Sequence, residues 1–103
     1  MIDVDALPPA FSREYGCTPT EWARWMREAV TDGRAVDASP SGALEHAVGD
    51  GRLRIQWRAL EARVIALVRL PRLAVDFQFD GVTPAQRAAF MRRLDLQLQR
   101  GGG

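Results

Sequence analysis

A chain of 103 residues, 47% apolar and 26% charged, has the composition of one ordinary globular domain. No run approaches the ~18 consecutive apolar residues of a membrane span, and a single cysteine excludes an internal disulfide. All 14 basic residues are arginine, which excludes lysine chemistry such as a Schiff base or a phosphate-loop lysine. We expect one cytoplasmic domain over residues 1–103, with no membrane partner.

A helix is predicted after an extended lead-in over residues 1–17. Thr18 fits its N-cap, Pro19 its first position and Glu21 its third, which is the pattern of a capping box. Apolar residues then recur at helical spacing and include Trp22, Trp25, Met26, Ala29 and Val30. The helix is predicted to end near residues 32–33, where Asp-Gly favours termination.

A long loop and then a group of strands are predicted next. Residues 32–51 are rich in Gly, Ser, Asp and Pro, which is typical of a loop, with room for a short helical turn at 42–48. Two later runs alternate apolar and polar residues, at 52–58 and 72–80, and the run between them at 63–70 is almost wholly apolar. Their short connections favour an antiparallel meander of three strands.

The last predicted element is a second helix, which begins with another capping box at Thr83 and Gln86. Its final stretch, LDLQLQ at 94–99, also alternates and could form a fourth strand. We favour a continuing helix because no Gly, Pro or Asn separates Arg93 from Leu94.

The predicted fold class is therefore α+β, with an N-terminal helix, a three-stranded antiparallel meander and a C-terminal helix in a two-layer sandwich. Both helices are expected to cover one apolar face of the sheet. The aromatic residues recur at the period of their elements, and we predict that they form the core: Trp22, Trp25, Trp57, Phe77, Phe79 and Phe90.

Charge divides unevenly along the chain. Residues 1–50 carry nine acids against four arginines, a net charge of −5, whereas residues 51–103 carry ten arginines against four acids, a net charge of +6. Such asymmetry indicates either an anionic partner or two halves that lie against each other. Whether the acidic half covers the arginines is left open by the sequence.

Arginines of the strand region form the first candidate site. On a meander they would cluster on or around the face opposite the aromatic core, where planar guanidinium groups suit phosphate and base stacking. These arginines are Arg52, Arg54, Arg58, Arg63, Arg69 and Arg72. The helix–three strands–helix order resembles the double-stranded-RNA-binding domain, a resemblance that implies RNA binding. The basic cluster with which that family begins its second helix is replaced here by TPAQRAAF.

The chain ends in QRGGG, the second candidate site. An arginine before terminal glycines resembles ubiquitin, and free terminal glycines resemble the small sulfur-carrier proteins; the resemblance implies adenylation of the terminal carboxylate. Those families have a β-grasp fold, with a tail that leaves a strand. The alternative, which we favour, is structural. Gly101 is a favourable residue at the end of the predicted helix, and Gly101, Gly102 and Gly103 form a disordered tail.

Two further patterns, in the segment 37–42 and in Cys17 with His46, are candidates for a ligand site and a nucleophilic site. The segment DASPSG at 37–42 resembles the D-x-S-x-x-G string of PilZ domains, which bind a cyclic dinucleotide, although the R-x-x-x-R spacing of Arg54 and Arg58 follows it here instead of preceding it. Cys17 precedes a helix and His46 is the single histidine, so the two are the minimum for a nucleophilic pair. We predict no metal site, because one Cys and one His supply too few ligands.

The function expected from these patterns is that of a small non-enzymatic protein-interaction or adaptor domain, without a cofactor. Sheet edges offer unpaired backbone groups to a partner strand, and the partner could be another protein or a second copy of the chain. Nucleic-acid binding through the arginines and carrier chemistry through the terminal glycines are the alternatives.

Overall fold

The computed structural model describes residues 7–101, with side chains to Gln99. Within that range the chain forms four strands and two helices. Their bounds are Ala10–Tyr15 for β1, Pro19–Ala29 for α1, Ser41–Val48 for β2, Gly51–Ile65 for β3, Val68–Asp80 for β4 and Pro84–Gly101 for α2. The strands form one antiparallel sheet in the order β1-β4-β3-β2. The α+β class is confirmed, whereas the predicted three strands are four.

Two strands lie where the sequence predicts none. β1 forms the end of the predicted lead-in, 1–17, and β2 lies inside the predicted loop, 32–51. The alternation of β2 is hard to recognise because one of its inward residues, Gly42, has no side chain. Gly42 is required there, since a Cβ at that position would come within 2.5 Å of the ring of Trp57 on β3.

The predicted strand at 63–70 is not a separate strand. Its first half completes β3 and its second half begins β4, with a tight turn at Ala66 and Leu67 between them. Two-residue turns usually contain Gly, Asn or Asp, because one or both residues need a positive φ. Here Ala66 takes that conformation, with φ of 54°. The apolar turn therefore left no recognisable signal in the sequence.

Both predicted capping boxes are present. In α1 the Thr18 hydroxyl accepts from the backbone N–H of Glu21 at 3.1 Å, and the Glu21 carboxylate accepts from the Thr18 N–H at 2.9 Å. Thr83 and Gln86 make the same exchange before α2. These bonds satisfy N–H groups that a helix start leaves unpaired, which explains why both boundaries were predictable.

The stretch 94–99 is helical, as favoured from the sequence. Leu94 and Leu98 are buried one helical turn apart, whereas Leu96 between them is 52% exposed. The alternation of leucines is therefore a coincidence of composition, because only the i, i+4 pair reaches the core.

Both helices pack on one face of the sheet and leave the other open. Trp22 and Met26 of α1 and Met91 of α2 are fully buried against Ile55 and Phe77 of the central strands. All the aromatic residues predicted to form the core are buried. The alternate residues of β3 and β4, from Arg52 to Arg58 and from Asp76 to Asp80, point away from the helices and are exposed. We call this exposed side of the sheet the open face.

Candidate interaction surfaces

The structure places five of the six predicted arginines on the open face and separates the sixth. Residues directly opposite each other on paired strands share a face. The register pairs Arg58 with Ala74, Leu60 with Arg72 and Arg63 with Leu70 on the open face, together with Arg52 and Arg54. Arg69 lies opposite Val64, on the side of the helices. These arginines therefore do not form a single cluster.

Carboxylates from the outer strands neutralise part of this arginine set. Glu14 of β1 binds Arg72 through two contacts, at 2.8 and 3.2 Å, and Glu45 of β2 lies 3.2 Å from Arg52 and 3.9 Å from Arg54. The hydrogen bond from the Arg72 guanidinium lowers the pKa of the Glu14 carboxyl. The acidic first half thus lies beside the arginines at both edges of the sheet.

The open face is close to neutral as a result. Its five arginines stand beside four carboxylates, which belong to Glu14, Glu45, Asp76 and Asp80. A nucleic-acid footprint would be expected to carry a net basic patch. The mixture of charges on this sheet is closer to that of an ordinary solvated surface.

The outer edge of β2 carries unpaired backbone groups. The Ala59 N–H donates to the Pro40 carbonyl at 2.6 Å, which identifies these opposite residues as a hydrogen-bonded pair of the ladder. Because such pairs alternate in an antiparallel ladder, Gly42, Leu44, His46 and Val48 face β3. The outward N–H groups then belong to Ser41, Ala43, Glu45 and Ala47, and none of them donates to a residue in the described range.

This edge has few of the features that prevent strand pairing. Native edges are commonly protected by proline, inward-pointing charges, bulges or short length. β2 runs eight residues without a bulge or an internal proline, and Glu45 is its single charged residue. Its other outward residues are Ser41, Ala43 and Ala47, whose small side chains leave the backbone accessible.

Two hollows lie beside the edge of β2. One of about 230 Å³ separates β2 from the loop after α1 and is lined by Arg34, Val36 and Leu44, among others. Another of about 450 Å³ lies on the open face over Ala43 and Ala74, between Arg58 and Asp76. A strand added to β2 would therefore find space for side chains on both of its faces.

A two-stranded extension of β3 and β4 forms a second surface. The paired strands end at Arg58 for β2 with β3 and at Leu73 for β1 with β4, so beyond the Ala59–Pro40 hydrogen bond residues 59–72 continue as a hairpin with no strand paired on either side. We call residues 59–72 the arm. A bulge between Leu60 and Arg63 lies opposite Pro71, which has no N–H to contribute to the ladder.

The arm exposes large apolar side chains at its tip. Their exposed fractions are 58% for Val64, 55% for Ile65, 100% for Leu67, 56% for Val68 and 41% for Leu70. No residue from 63 to 70 is buried by either helix. A contiguous apolar surface of this kind is uncommon on a protein that has no partner.

Cys17 and His46 do not form a pair. Cys17 follows β1 at one side of the sheet, and His46 lies on β2 at the other, with β4 and β3 between the two strands. Cys17 is fully buried, and burial raises the pKa of its thiol to about 12. Burial, with Arg34 and Arg93 nearby, lowers the pKa of His46. The thiol therefore lacks both exposure and a base.

The remaining sequence candidates are found in ordinary structural settings. Gly101 ends α2, while Gly102 and Gly103 lie outside the described residues. Asp37 and Ser39 of the DASPSG segment bind each other, because the Ser39 N–H and hydroxyl both donate to the Asp37 carboxylate. Among residues 7–101 no group of three or more His, Cys, Asp or Glu side chains could hold a metal ion, and neither helix is long and apolar enough to cross a membrane.

Comparison with models of known families, with curated proteins and with solved structures finds no match to this chain. Function is therefore inferred from the β2 edge and the arm.

Sequence reasoning missed both the β2 edge and the arm. β2 was hidden because it begins within the Ser-Pro-Ser-Gly stretch at 39–42, and its inward residue Gly42 has no side chain. The arm was hidden because its apolar run, IALV, reads as a buried strand when the turn inside it carries no Gly or Asn.

Proposed function

We propose that the chain is a small non-enzymatic protein-interaction domain that binds an extended segment of its partner along the outer edge of β2. The observation that carries this proposal is the row of outward N–H groups on an unprotected eight-residue edge strand. Addition of a strand would satisfy these groups through main-chain hydrogen bonds, and pockets beside the edge would give specificity.

The surroundings of the edge indicate the kind of segment that fits. The smaller hollow has apolar walls from Val36 and Leu44, and charged groups of both signs, Arg34, Asp37 and Glu45, line it as well. An extended segment with alternating apolar and polar side chains would match this lining. The burial of Cys17, which raises the pKa of its thiol to about 12, argues against a nucleophilic pair with His46.

Photo-cross-linking in the cells that make the protein tests this proposal. A photoreactive amino acid at Ala47, which is exposed on β2, is expected to give one discrete protein adduct, and the same group at Ala89 on α2 is expected to give none. Ala43→Pro removes one outward N–H without removing a bond to β3, so the adduct should disappear.

The matched control is Ala43→Ser, which keeps both the N–H and a small side chain at this position. It should leave the adduct intact. An adduct at Ala47 that survives Ala43→Pro in a folded protein would show that binding does not use the β2 backbone.

Nucleic-acid binding through the arginines is the second candidate function, and the neutralised open face gives it less support. It predicts an affinity that falls steeply with salt, with a slope set by the number of phosphate contacts. Binding to RNA that does not respond to salt would exclude it.

A further inference from the structure

We infer that the arm binds the surface of an anionic lipid membrane by inserting its tip between the headgroups. This inference uses a surface other than the β2 edge and is independent of the partner proposed there. The expectation of no membrane partner rested on the lack of a spanning segment, and binding at a lipid surface needs none.

The tip, residues 64–69, exposes apolar side chains on both faces and at its end, and Arg69 is its one charged residue. Ile65 and Val68 are opposite each other on the open face, Val64 points to the other face, and Ala66 and Leu67 form the end. A surface that packs side by side against a protein needs one apolar face only. Apolar residues on both faces and at the end suit insertion, end first, into an apolar medium.

The turn itself supports this geometry. Ala66 holds a φ of 54°, a conformation that costs an alanine about 1–2 kcal/mol relative to the right-handed region and that glycine adopts freely. Leu67 beside it is fully exposed. A turn that served only to reverse the chain would be expected to carry Gly, Asn or Asp. The apolar turn residues Ala66 and Leu67 suit a tip that inserts into a lipid membrane.

Arginines surround the base of the tip on both faces. Arg63, opposite Leu70, lies on the open face, and Arg69, opposite Val64, lies on the other. Neither forms a salt bridge with a described residue. Arginine binds phosphate oxygens in bidentate geometry, and its long stem lets the charge remain at the headgroups while the apolar tip lies deeper.

The length of the tip matches the depth of an interfacial site. Two residues of each strand extend beyond the Arg63–Leu70 pair before the turn. At about 3.3 Å per residue they reach ~7 Å, within the ~5–10 Å that interfacial segments bury. Arg63 would then lie at the level of the lipid phosphates, and Arg69, one residue nearer the turn, would reach them through its long stem.

Charge decides against a second copy of the chain as the occupant. The arm carries three arginines and one acid, Glu61, and one of the three, Arg72, already binds Glu14. Two arms packed together would bring like charges into contact, which is destabilising. An anionic surface neutralises the same charges and accepts the apolar tip.

Vesicle binding tests the inference with the full-length protein. We expect it to sediment with phosphatidylcholine vesicles that contain phosphatidylserine and to remain in solution with phosphatidylcholine alone. Leu67→Asp, at a fully exposed position, should lower the partition coefficient at least tenfold. Arg63→Gln with Arg69→Gln should lower it about thirtyfold, since each basic residue near an anionic surface contributes about fivefold.

Matched controls separate the arm from general effects of charge and apolarity. Arg24→Gln with Arg27→Gln removes two exposed arginines of α1, and Leu96→Asp alters an exposed leucine of α2. Both should retain binding. If these controls lose binding as strongly as the arm variants, binding is non-specific and the inference is wrong.

A direct readout of insertion comes from an environment-sensitive dye on A66C. Cys17 is fully buried, with the pKa of its thiol raised to about 12, so the label should go to the tip. Emission is expected to shift to the blue on anionic vesicles. No shift, no sedimentation, or a concentration-dependent dimer that Leu67→Asp abolishes without any vesicle binding would each overturn the inference.

Discussion

Single residues account for the two features that most restrict this fold. Gly42 allows the ring of Trp57 to lie across β2, and the indole N–H of Trp57 donates to the Ser39 carbonyl at 3.3 Å. Ala66 closes the arm in a left-handed conformation. Neither requirement could be recognised from the sequence, because each depends on a neighbour that is distant along the chain or on a turn without its usual residues.

Gly42→Val is expected to lower the free energy of unfolding by about 1–3 kcal/mol, because its side chain would overlap the buried Trp57 ring. Urea denaturation measures the change. Ala43→Val on the exposed face of the same strand is the control and should change stability by no more than ~0.5 kcal/mol. Equal effects at the two positions would contradict the packing described.

Ala66→Gly is expected to raise the free energy of unfolding by about 0.5–1 kcal/mol, since glycine adopts a positive φ without the steric cost that alanine bears. The gain is partly offset by the greater freedom of glycine in the unfolded chain. Thermal denaturation measures it. A loss of stability would mean that the turn is not left-handed at this residue.

The ion pair of Glu14 and Arg72 should contribute to stability only above acidic pH. The folded-state pKa of Glu14 lies below its ordinary value of 4.5, so its contribution is present above 4.5 and is lost as the pH falls through the folded-state pKa. The difference in melting temperature between wild type and Glu14→Gln should therefore shrink as the pH falls through this range. A difference that grows in acid would contradict the pairing.

At the scale of elements, the sequence was informative where local chemistry decides the structure. Thr18 with Glu21 and Thr83 with Gln86 identified both helix starts, because a capping box is a local pattern. β2 was missed because its position depends on pairing with β3. An edge strand is paired with a neighbour on one side only and is less buried, so its residues show a weaker strand pattern in the sequence.

Leu94→Ala is expected to cost about 2–4 kcal/mol of unfolding free energy, because the side chain is buried under α2. Leu96→Ala, two residues away, should cost less than ~1 kcal/mol, because its side chain is largely exposed on the same helix. Chemical denaturation of the two variants distinguishes a helix from a strand at 94–99. Equal costs would support the alternating, strand-like arrangement.

At the scale of the molecule, the domain presents two surfaces at different parts of the sheet. The β2 edge offers hydrogen bonds in a row, and the arm offers an apolar tip with arginines at its base. Ion pairs between the acidic first half and the basic second half, such as Glu14 with Arg72 and Glu45 with Arg52, explain part of the charge asymmetry along the chain. Composition revealed the asymmetry but could not show which acids reach which arginines.

The C-terminal glycines are expected to be dispensable for binding at the β2 edge. Deletion of residues 102–103 should leave both the melting temperature and the cross-link at Ala47 unchanged, because the buried residues of α2, from Ala88 to Leu98, all precede them. Loss of function with unchanged stability would instead support the carrier hypothesis.

Amide hydrogen exchange along β2 distinguishes a partner that adds a strand to this edge from one that binds elsewhere. In the isolated protein the outward amides of Ala43, Glu45 and Ala47 should exchange rapidly, while those of Leu44 and His46, which face β3, should be protected. With the cross-linked partner bound, the outward amides should become protected as well. Outward amides that still exchange rapidly in the complex would show that the partner does not add a strand to β2, and the proposed function would be wrong.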